Sequence, residues 1–555
     1  MARFYIENFG CRTTQADGAA LERQFLERGL ERAGAARDAE IVVLNTCTVT
    51  ESADKDARAS IRRMQRVNPG CRILVTGCYA QRAPEELAAL PGVTWVVGNS
   101  HKHQAAEIAT SSAVGFVSLA QLASVPQSPS AAKAGTGKEP VIAAQKRCAT
   151  QTQEPGCATQ EQEQDGVFPP AAEDLISKRQ TTRVIVGDIF AHTELLAAPV
   201  FEAANERTRP NLKVQDGCDN RCSFCVIPYV RGQSRSLPGE RVISEVRALV
   251  EAGYREVVIS GINLGRWGRD LEGSSQLSAV SSQSKPETSG RRLESLILAI
   301  LDQTSLQKLR ISSVEPMDWS DELIDLVAAS GRIAKHAHVP MQSGSDAVLR
   351  RMHRKYRPWH YRKKILKIRE AMPTAAIGAD VMVGFPGETD AEFGETRRMI
   401  EELPFTYLHV FTYSPRPGTP AAEQPGQVPV VVARERNRVL REIASQKKAA
   451  FMRSLVGTVV EAITLQSGRA DFTEALTDNY LKMKISGHHA ANRWMDAQVE
   501  GADGEMLWGE VVGGAGLERS ELEHCACSAS DGSNSGVHKG EQLTYEPFAA
   551  YDNKK

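Results

Sequence analysis

The sequence lacks a long apolar run, an export signal and an excess of charge of one sign. No stretch approaches the roughly 20 apolar residues that a membrane-spanning helix needs, so we expect no membrane partner. The first seven residues, MARFYIE, carry no apolar segment of the kind that directs secretion, which favours a cytoplasmic protein. A formal net charge of -1 argues against a nucleic-acid-binding protein that is basic over its whole surface, but it does not exclude a local basic patch.

The sequence contains 11 cysteines, and in a reducing compartment we expect them to form no disulfides. Three of them, Cys218, Cys222 and Cys225, form a Cys-x-x-x-Cys-x-x-Cys triplet. Three thiolates on one tight loop can hold three irons of a cubane iron–sulfur cluster and leave the fourth iron open to a ligand. The alternative is a zinc loop, but structural zinc sites take four ligands and no further Cys or His lies nearby. The triplet therefore predicts a 4Fe-4S cluster.

Three further cysteines each follow a segment that indicates a strand in the N-terminal region. These are Cys11, Cys47 and Cys78. Because the carboxyl ends of parallel strands share one edge of a sheet, the three thiols can converge on a second cluster with an open iron. The alternative is that they are small buried apolar residues, as free cysteines often are. No ligand role is predicted for the remaining five, which are Cys71, Cys148, Cys157, Cys525 and Cys527.

Strand and helix signals divide the chain into five regions. An alternating βαβαβ pattern predicts an open parallel sheet at the N-terminus. Six later strand–helix units predict a partial (β/α)6 barrel, and a run of short strands predicts a small all-β barrel after it. The regions are the sheet at 1–105, a low-complexity insertion or linker at 106–206, the partial barrel at 207–453, the β-barrel at 454–513 and a disordered tail at 514–555. The predicted fold class is therefore α/β with a C-terminal all-β module.

The triplet and its surroundings resemble a known superfamily. Phe224 stands just before the last cysteine, as is typical of the radical S-adenosylmethionine enzymes. The segment CVIPYVRG at 225–232, together with the three cysteines of residues 1–105, resembles the methylthiotransferases within that superfamily. The module at 454–513 resembles a TRAM domain, which is an RNA-binding barrel. The whole resemblance covers residues 1–105 and 207–512.

Four short segments resemble the methylthiotransferase branch that acts on threonylcarbamoyladenosine in tRNA. They are RGQSRS at 231–236, GINLG at 261–265, SVEP at 313–316 and HVPMQSGS at 338–345. The segment GCRTTQ at 10–15 departs from the family, whose members often carry Lys-Val-Asn after the cysteine. The branches that act on isopentenyladenosine in tRNA or on a ribosomal-protein aspartate stay open as alternatives. So does a non-catalytic zinc or iron–sulfur RNA-binding protein.

The resemblance implies two 4Fe-4S clusters and S-adenosylmethionine, which would serve as radical source and as methyl donor. The triplet cluster would bind S-adenosylmethionine and generate the radical that removes hydrogen from C2 of the modified adenine next to the anticodon. The cluster of the three N-terminal cysteines would carry the sulfur to be inserted. The implied partners are the anticodon stem-loop of tRNA, an unidentified electron donor and a sulfur source. Such chemistry belongs to the cofactors, and the protein supplies position.

Five residues besides the cysteines are predicted to contact S-adenosylmethionine. They are Phe224, Gln342, Gly384, Gly387 and Glu388. Phe224 would pack near the adenine, with core packing of the cluster loop as the alternative. The segment GFPGE at 384–388 follows the fifth barrel strand, on the face where such barrels carry their active sites. An ordinary turn is the alternative there. Gln342, after the fourth strand, would touch the ribose or the methionine part.

A concentrated basic stretch is the local evidence for nucleic-acid binding. Residues 350–369 carry ten Lys or Arg and no acidic residue, with Tyr356, Trp359 and Tyr361 interleaved. Phosphate contacts together with aromatic stacking surfaces suit RNA. The alternative is a solvated helix face whose aromatic residues belong to the core.

Overall fold

The computed structural model describes residues 1–111, 182–192, 195, 209–271, 292–466 and 471–512. The tail and four of the cysteines without a predicted role, Cys148, Cys157, Cys525 and Cys527, lie outside the described residues. The described residues form two compact units, the first extending to Glu442 and the second beginning at Ile443. Among them, no helix has both the length and the apolar character that crossing a membrane requires.

A six-stranded parallel sheet forms the N-terminal part of the first unit. Its strands are β1 Arg3–Asn8, β2 Glu31–Arg32, β3 Ile41–Thr46, β4 Arg72–Gly77, β5 Val93–Gly98 and β6 Arg183–Ile185. They are arranged in the order β2-β1-β3-β4-β5-β6. β3 is buried along its whole length, as expected for a central strand with both faces covered. The predicted open parallel sheet is confirmed.

Helices connect these strands. They are α1 Arg12–Glu27, α2 Glu51–Val67, α3 Cys78–Arg82, α4 Pro84–Ala88 and α5 Ala105–Thr110. α2 begins where the side chain of Thr50 accepts a hydrogen bond from the N–H of Ala53, and it buries Ala57, Ile61 and Met64 on one face. β6 lies inside the region predicted as an insertion, yet it pairs with β5. The chain therefore returns to the N-terminal sheet before it enters the central barrel.

Six parallel strands form the central partial barrel of the same unit. This region contains eight strands in all, which in chain order are β7 Asn211–Lys213, β8 Gln215–Asp216, β9 Arg235–Ser236, β10 Glu256–Ser260, β11 Lys308–Ile311, β12 His336–His338, β13 Ala376–Val383 and β14 Tyr407–Thr412. β8 and β9 form a separate antiparallel pair. The other six make two sheets, β7-β10-β11 and β12-β13-β14, which are joined through a parallel bridge between Ser313 and His338. The predicted partial barrel is confirmed.

Helices follow the barrel strands. They are α6 Ile227–Arg231, α7 Gly239–Glu251, α8 Leu293–Gln303, α9 Asp321–Ala329, α10 Asp346–Arg351, α11 Pro358–Ala371, α12 Asp390–Glu402, α13 Pro420–Glu423 and α14 Val430–Ser454. α12 starts with a capping box, in which Thr389 and Glu392 satisfy each other's backbone N–H. The α7, α8 and α9 helices bury apolar residues every third or fourth position, which is the pattern of helices packed on a sheet.

The second unit contains a closed five-stranded barrel. Its strands are β15 Val459–Thr464, β16 Phe472–Thr477, β17 Lys482–Ser486, β18 Trp494–Ala502 and β19 Leu507–Val511, in the order β15-β16-β17-β19-β18. Alternate residues such as Ala475, Met483, Ile485 and Val499 fill its interior, because successive side chains of a strand point to opposite faces. The predicted small all-β barrel is confirmed.

Candidate functional site

Cys11, Cys47 and Cys78, here called the auxiliary cysteines, lie at one edge of the N-terminal sheet. Cys11 stands directly before α1, Cys47 directly follows β3, and Cys78 begins α3 directly after β4. β1, β3 and β4 are neighbours in the sheet, so their carboxyl ends bring the three thiols to one place. The backbone before Cys11 lies close to Cys47, since a Cβ on Gly10 would lie 2.5 Å from the Cβ of Cys47.

The auxiliary cysteines combine burial with nearby positive charge. Burial, together with the charges of Cys78 and Cys11, raises the pKa of the Cys47 thiol to about 12, so the three sulfur atoms are near enough to interact. The guanidinium of Arg231 acts in the opposite direction on that pKa. Nδ2 of Asn99 lies 3.6 Å from Sγ of Cys78. Three soft thiol ligands beside a cation suit an iron–sulfur cluster.

The triplet lies on the loop between β8 and α6, where polar groups face its sulfur atoms. Nη1 of Arg354 lies 3.3 Å from Sγ of Cys222, and Nδ2 of Asn263 lies 3.7 Å from Sγ of Cys218. Burial raises the pKa of Cys218 to about 11 and that of Cys225 to about 12. Donors and cations that face a sulfur favour the thiolate, which is the form that binds iron.

Gly217 turns the chain into the triplet loop with a φ of +72°, and a Cβ at this position would lie 1.8 Å from the carbonyl oxygen of Gln233. We expect Gly217→Ala to reduce the iron of the reconstituted protein from about eight to about four atoms per chain, because relieving the backbone collision must move Cys218. Iron and protein assays of anaerobically reconstituted samples measure this loss. Gly253→Ala is the matched control, because Gly253 has a φ of +92° with nothing within 4 Å of its Cβ position. Equal iron in the two variants would contradict the explanation.

The two cysteine sets are neighbours within the first unit. Cys78 packs against Val226 and Val230 in one apolar cluster, and Val226 directly follows Cys225. α3, which Cys78 begins, therefore lies against α6, which starts two residues after the triplet. The sequence predicted two cluster sites, and the structure places Cys78 of one cysteine set beside the residue that follows Cys225 of the other.

A network of five buried charges joins α1 to the start of the central barrel. Asp17 accepts hydrogen bonds from Nζ of Lys102 at 2.9 Å and from Nη2 of Arg231 at 3.0 Å, and it also contacts Lys213. Nη1 of Arg231 donates to both carboxylate oxygens of Asp216 at 3.0 Å. Burial alone would raise the pKa of Asp17, but the surrounding cations hold it well below its usual range. Three cations against two anions leave one net positive charge beside the cysteines.

Asp17→Asn is expected to lower the apparent free energy of unfolding of the first unit by about 3–5 kcal/mol, because it leaves buried cations without a counter-charge. Since folding lowers the pKa of Asp17, its stabilising contribution is present above about pH 4 and is lost as the pH falls further. Denaturant unfolding at pH 7 measures the difference. Asp56→Asn, at an exposed position of α2, is the control, and equal midpoints for the two variants would refute the prediction.

Phe224 belongs to the triplet loop itself, whereas Gln342 stands on a different segment of the barrel. Phe224 packs edge-on against Phe385, with ring centroids 6.4 Å apart, and joins the apolar cluster around Met352. This contact supports core packing for Phe224, and its contact with the cofactor stays a prediction. Gln342 follows β12 and has a φ of +61°, which is uncommon for a residue other than glycine. Such backbone strain occurs often at ligand sites, and its role too stays a prediction.

The segment at 384–388 forms a turn after β13 that is closed by Glu388. Oε2 of the buried Glu388 accepts hydrogen bonds from the N–H of Gly384 at 2.6 Å and from Nη1 of Arg436 at 2.7 Å. A Cβ on Gly384 would lie 2.6 Å from the Cβ of Ala433, so close helix packing also requires this glycine. These contacts favour the ordinary turn for Glu388 and Gly384. Cofactor contact by this segment, including Gly387, stays a prediction.

The basic stretch at 350–369 is only partly available for RNA. Tyr356 and Tyr361 are buried, and their hydroxyls donate to backbone carbonyls at 2.6 and 2.7 Å. The interpretation of these two rings as stacking surfaces is therefore wrong, because both belong to the core, whereas Trp359 is 57% exposed. Most of the basic side chains have acidic or carbonyl partners within the protein, namely Arg350, Arg351, Arg354, Arg357, Arg362, Lys364, Lys367 and Arg369.

Sequence reasoning missed the polar residues that surround the cysteines. Arg231 and Asn99 beside the auxiliary cysteines, and Asn263 beside the triplet, were not singled out as site residues. One signal was available, because Lys213 lies in the short strand segment NLK and a lysine in a buried strand needs a partner. The identity of that partner, Asp17, follows only from the fold.

Two protein-family models match the chain. Residues 3–98 match the model described as "Uncharacterized protein family UPF0004". Residues 212–400 match the model described as "Radical SAM superfamily". The first matched region contains the auxiliary cysteines, and the second contains the triplet.

Curated relatives match most of the chain. The threonylcarbamoyladenosine tRNA methylthiotransferase MtaB of Bacillus subtilis (strain 168) is 34% identical over 88% of this chain and 91% of the relative. The protein of the same name from Aquifex aeolicus (strain VF5) is 30% identical over 87% of this chain and 96% of the relative. The tRNA-2-methylthio-N(6)-dimethylallyladenosine synthase of Erythrobacter litoralis (strain HTCC2594) is 30% identical, with coverages of 84% and 87%. The chain therefore belongs to the radical S-adenosylmethionine methylthiotransferase family.

Proposed function

We propose that the protein is a tRNA methylthiotransferase that inserts a methylthio group at C2 of N6-threonylcarbamoyladenosine next to the anticodon. The observation that carries this proposal is the adjacency of the two cysteine sets, with Cys78 packed against the residue that follows Cys225. Replacing a C–H bond by a C–S bond needs a group that activates the carbon and a group that supplies the sulfur. Two neighbouring sites with three thiols each suit that requirement.

The donor sets suit two 4Fe-4S clusters. The triplet would hold the cluster that binds S-adenosylmethionine, and the auxiliary cysteines would hold a second one. A cubane has four irons, so three thiolate ligands leave one iron open at each site. When bound, these groups supply the radical and sulfur chemistry, and the protein supplies position and charge.

The charged residues around each set would balance the negative charge of thiolate-bound iron. Arg354 faces Cys222, and Glu315 contacts the guanidinium and holds it there. Arg231 would balance the charge at the auxiliary cysteines in the same way, because its positive charge lowers the pKa of Cys47. Burial strengthens these interactions, because charges act more strongly in a medium of low dielectric constant.

The choice of substrate rests on the relatives. The Bacillus subtilis relative named for threonylcarbamoyladenosine is 34% identical, whereas the synthase from that organism named for dimethylallyladenosine is 27% identical. This difference supports the first substrate. Methylthiolation of isopentenyladenosine in tRNA or of a ribosomal-protein aspartate is the alternative. We place the reaction in the cytoplasm, with tRNA as partner, an electron donor for the radical cluster and a source of sulfur.

Mass spectrometry of nucleosides from total tRNA, with and without the gene, tests the proposal. Loss of the methylthio derivative of threonylcarbamoyladenosine, with its restoration by the wild-type gene, is the expected result. If the lost nucleoside is instead the methylthio derivative of isopentenyladenosine, the proposed substrate is wrong. An unchanged nucleoside profile would contradict methylthiolation of tRNA altogether.

A further inference from the structure

Two histidines and an aspartate meet on three adjacent strands of the central barrel, apart from both cysteine sets. His338 ends β12, Asp380 lies in β13 opposite His409 of β14, and His338 is in register with Gly378, two residues before Asp380. Alternate residues of a strand share a face, so the three side chains, here called the His–Asp–His triad, point to the same side.

That side is the one that carries the triplet loop. Met382 lies two residues beyond Asp380, about 7 Å along β13, and therefore on the same face. Met382 packs in the apolar cluster that includes Phe224 of the triplet loop. The His–Asp–His triad thus lines the same side of the sheet, one step deeper than the residues that support the triplet.

The distances within the triad fit a metal ion better than hydrogen bonds. Oδ1 of Asp380 lies 3.4 Å from Nε2 of His338 and 3.3 Å from Nδ1 of His409. Charge-assisted hydrogen bonds are shorter, at about 2.7–2.9 Å. Four ligands placed tetrahedrally at zinc distances of about 2.0–2.1 Å lie about 3.3–3.4 Å apart. All three ligand atoms lie within 4.8 Å of one another, and the half-exposed His409 ring can turn to shorten the remaining edge.

The burial of His338 and the ionisation of Asp380 also favour a bound cation. Nε2 of His338 is buried and makes no hydrogen bond to any described residue. Burial would raise the pKa of Asp380, but the imidazoles of His338 and His409 hold it well below its usual range, so the carboxylate is ionised. An ionised carboxylate and a buried imidazole nitrogen that lies 3.4 Å from it can both bind the same cation.

We propose that His338, Asp380 and His409 form a binding site for a divalent transition-metal ion of the Zn²⁺ or Fe²⁺ class. Two imidazoles and one carboxylate are a ligand set that such ions prefer. Three protein ligands leave at least one coordination position open, as in zinc sites that take a further ligand. His409 is 55% exposed, so that open position is accessible to an oxygen-donor ligand from the barrel interior. The proposal does not depend on the identity of the nucleoside substrate.

Equilibrium dialysis of the iron-loaded protein against Zn²⁺ tests the site. We expect one zinc per chain in the wild type and an affinity about 100-fold lower or weaker still in Asp380→Asn and in His409→Gln. His360→Gln is the matched control, because His360 is an exposed histidine of α11, and it should bind zinc as the wild type does. Iron must be equal in all four proteins, which shows that the clusters are intact. Wild-type zinc affinity in both triad variants would overturn the proposal.

X-ray absorption at the zinc edge of the wild-type protein provides an independent test, which holds even if a variant misfolds. Nitrogen and oxygen ligands at about 2.0–2.1 Å with an imidazole signature are expected. A sulfur shell at about 2.3 Å would place the zinc on cysteines and overturn the proposal. Binding of less than about a tenth of a zinc per chain in the dialysis would overturn it as well.

Discussion

Cys222→Ala is expected to abolish the cleavage of S-adenosylmethionine and to reduce the iron of the reconstituted protein from about eight to about four atoms per chain. Cys222 is the middle ligand of the predicted triplet, and Arg354 faces its sulfur at 3.3 Å. Its loss would leave two thiols and would remove the sulfur that faces the buried guanidinium of Arg354, which would keep Glu315 as its partner. Two thiols cannot retain a cubane that already has one open iron.

Iron content and the formation of 5′-deoxyadenosine with a chemical reductant are the two measurements. Cys71→Ala is the matched control, because Cys71 stands before β4, at the edge opposite to the auxiliary cysteines. It should retain about eight irons and full 5′-deoxyadenosine formation. Normal cleavage activity in Cys222→Ala would contradict the assignment of the triplet as the site of S-adenosylmethionine activation.

Cys47→Ala should separate the two halves of the reaction, with loss of the methylthio product while 5′-deoxyadenosine continues to form. Cys47 is buried between Cys11 and Cys78, so its removal takes one of three thiols from the auxiliary site. The triplet lies on a different loop, and its contacts with Arg354 and Asn263 do not involve Cys47. About four of the eight irons should therefore remain.

Single-turnover assays with tRNA, followed by nucleoside mass spectrometry and iron analysis, measure both outcomes. Gly10→Ala offers a related test, since its added methyl group would collide with the same cysteine at 2.5 Å and should disturb the auxiliary site alone. If Cys47→Ala loses all its iron, or still produces the methylthio nucleoside, the division into two separate sites is wrong.

Local sequence was sufficient for the elements and for the candidate ligands. The three cysteines of the triplet lie within eight residues, so their recognition as a ligand set did not depend on the fold. The apolar runs at residues 41–44 and 73–75 are typical of buried strands, and the rule for parallel sheets places the cysteines that follow them at one edge. The N-terminal sheet, the partial barrel and the C-terminal barrel all follow from such patterns, because hydrophobic periodicity is a property of neighbouring residues.

Contacts between distant residues were beyond that reasoning. Nothing local shows that Tyr356 and Tyr361 are core residues within a basic stretch, since their partners are carbonyls 15 and 22 residues away. Glu388 likewise looked like a cofactor contact, and only the position of Arg436 in α14 shows that it closes a turn.

Local sequence was enough to name the six cysteines as candidate iron ligands and to predict the elements that carry them. The charges around these cysteines follow from the packed fold instead, because Asp17 and Lys213 are 196 positions apart and are brought together by the packing of α1 against β7. The same holds for the His–Asp–His triad, whose members come from three strands. A buried ion pair is stable only where both partners lose water together, and that condition is set by the packed fold rather than by any one segment.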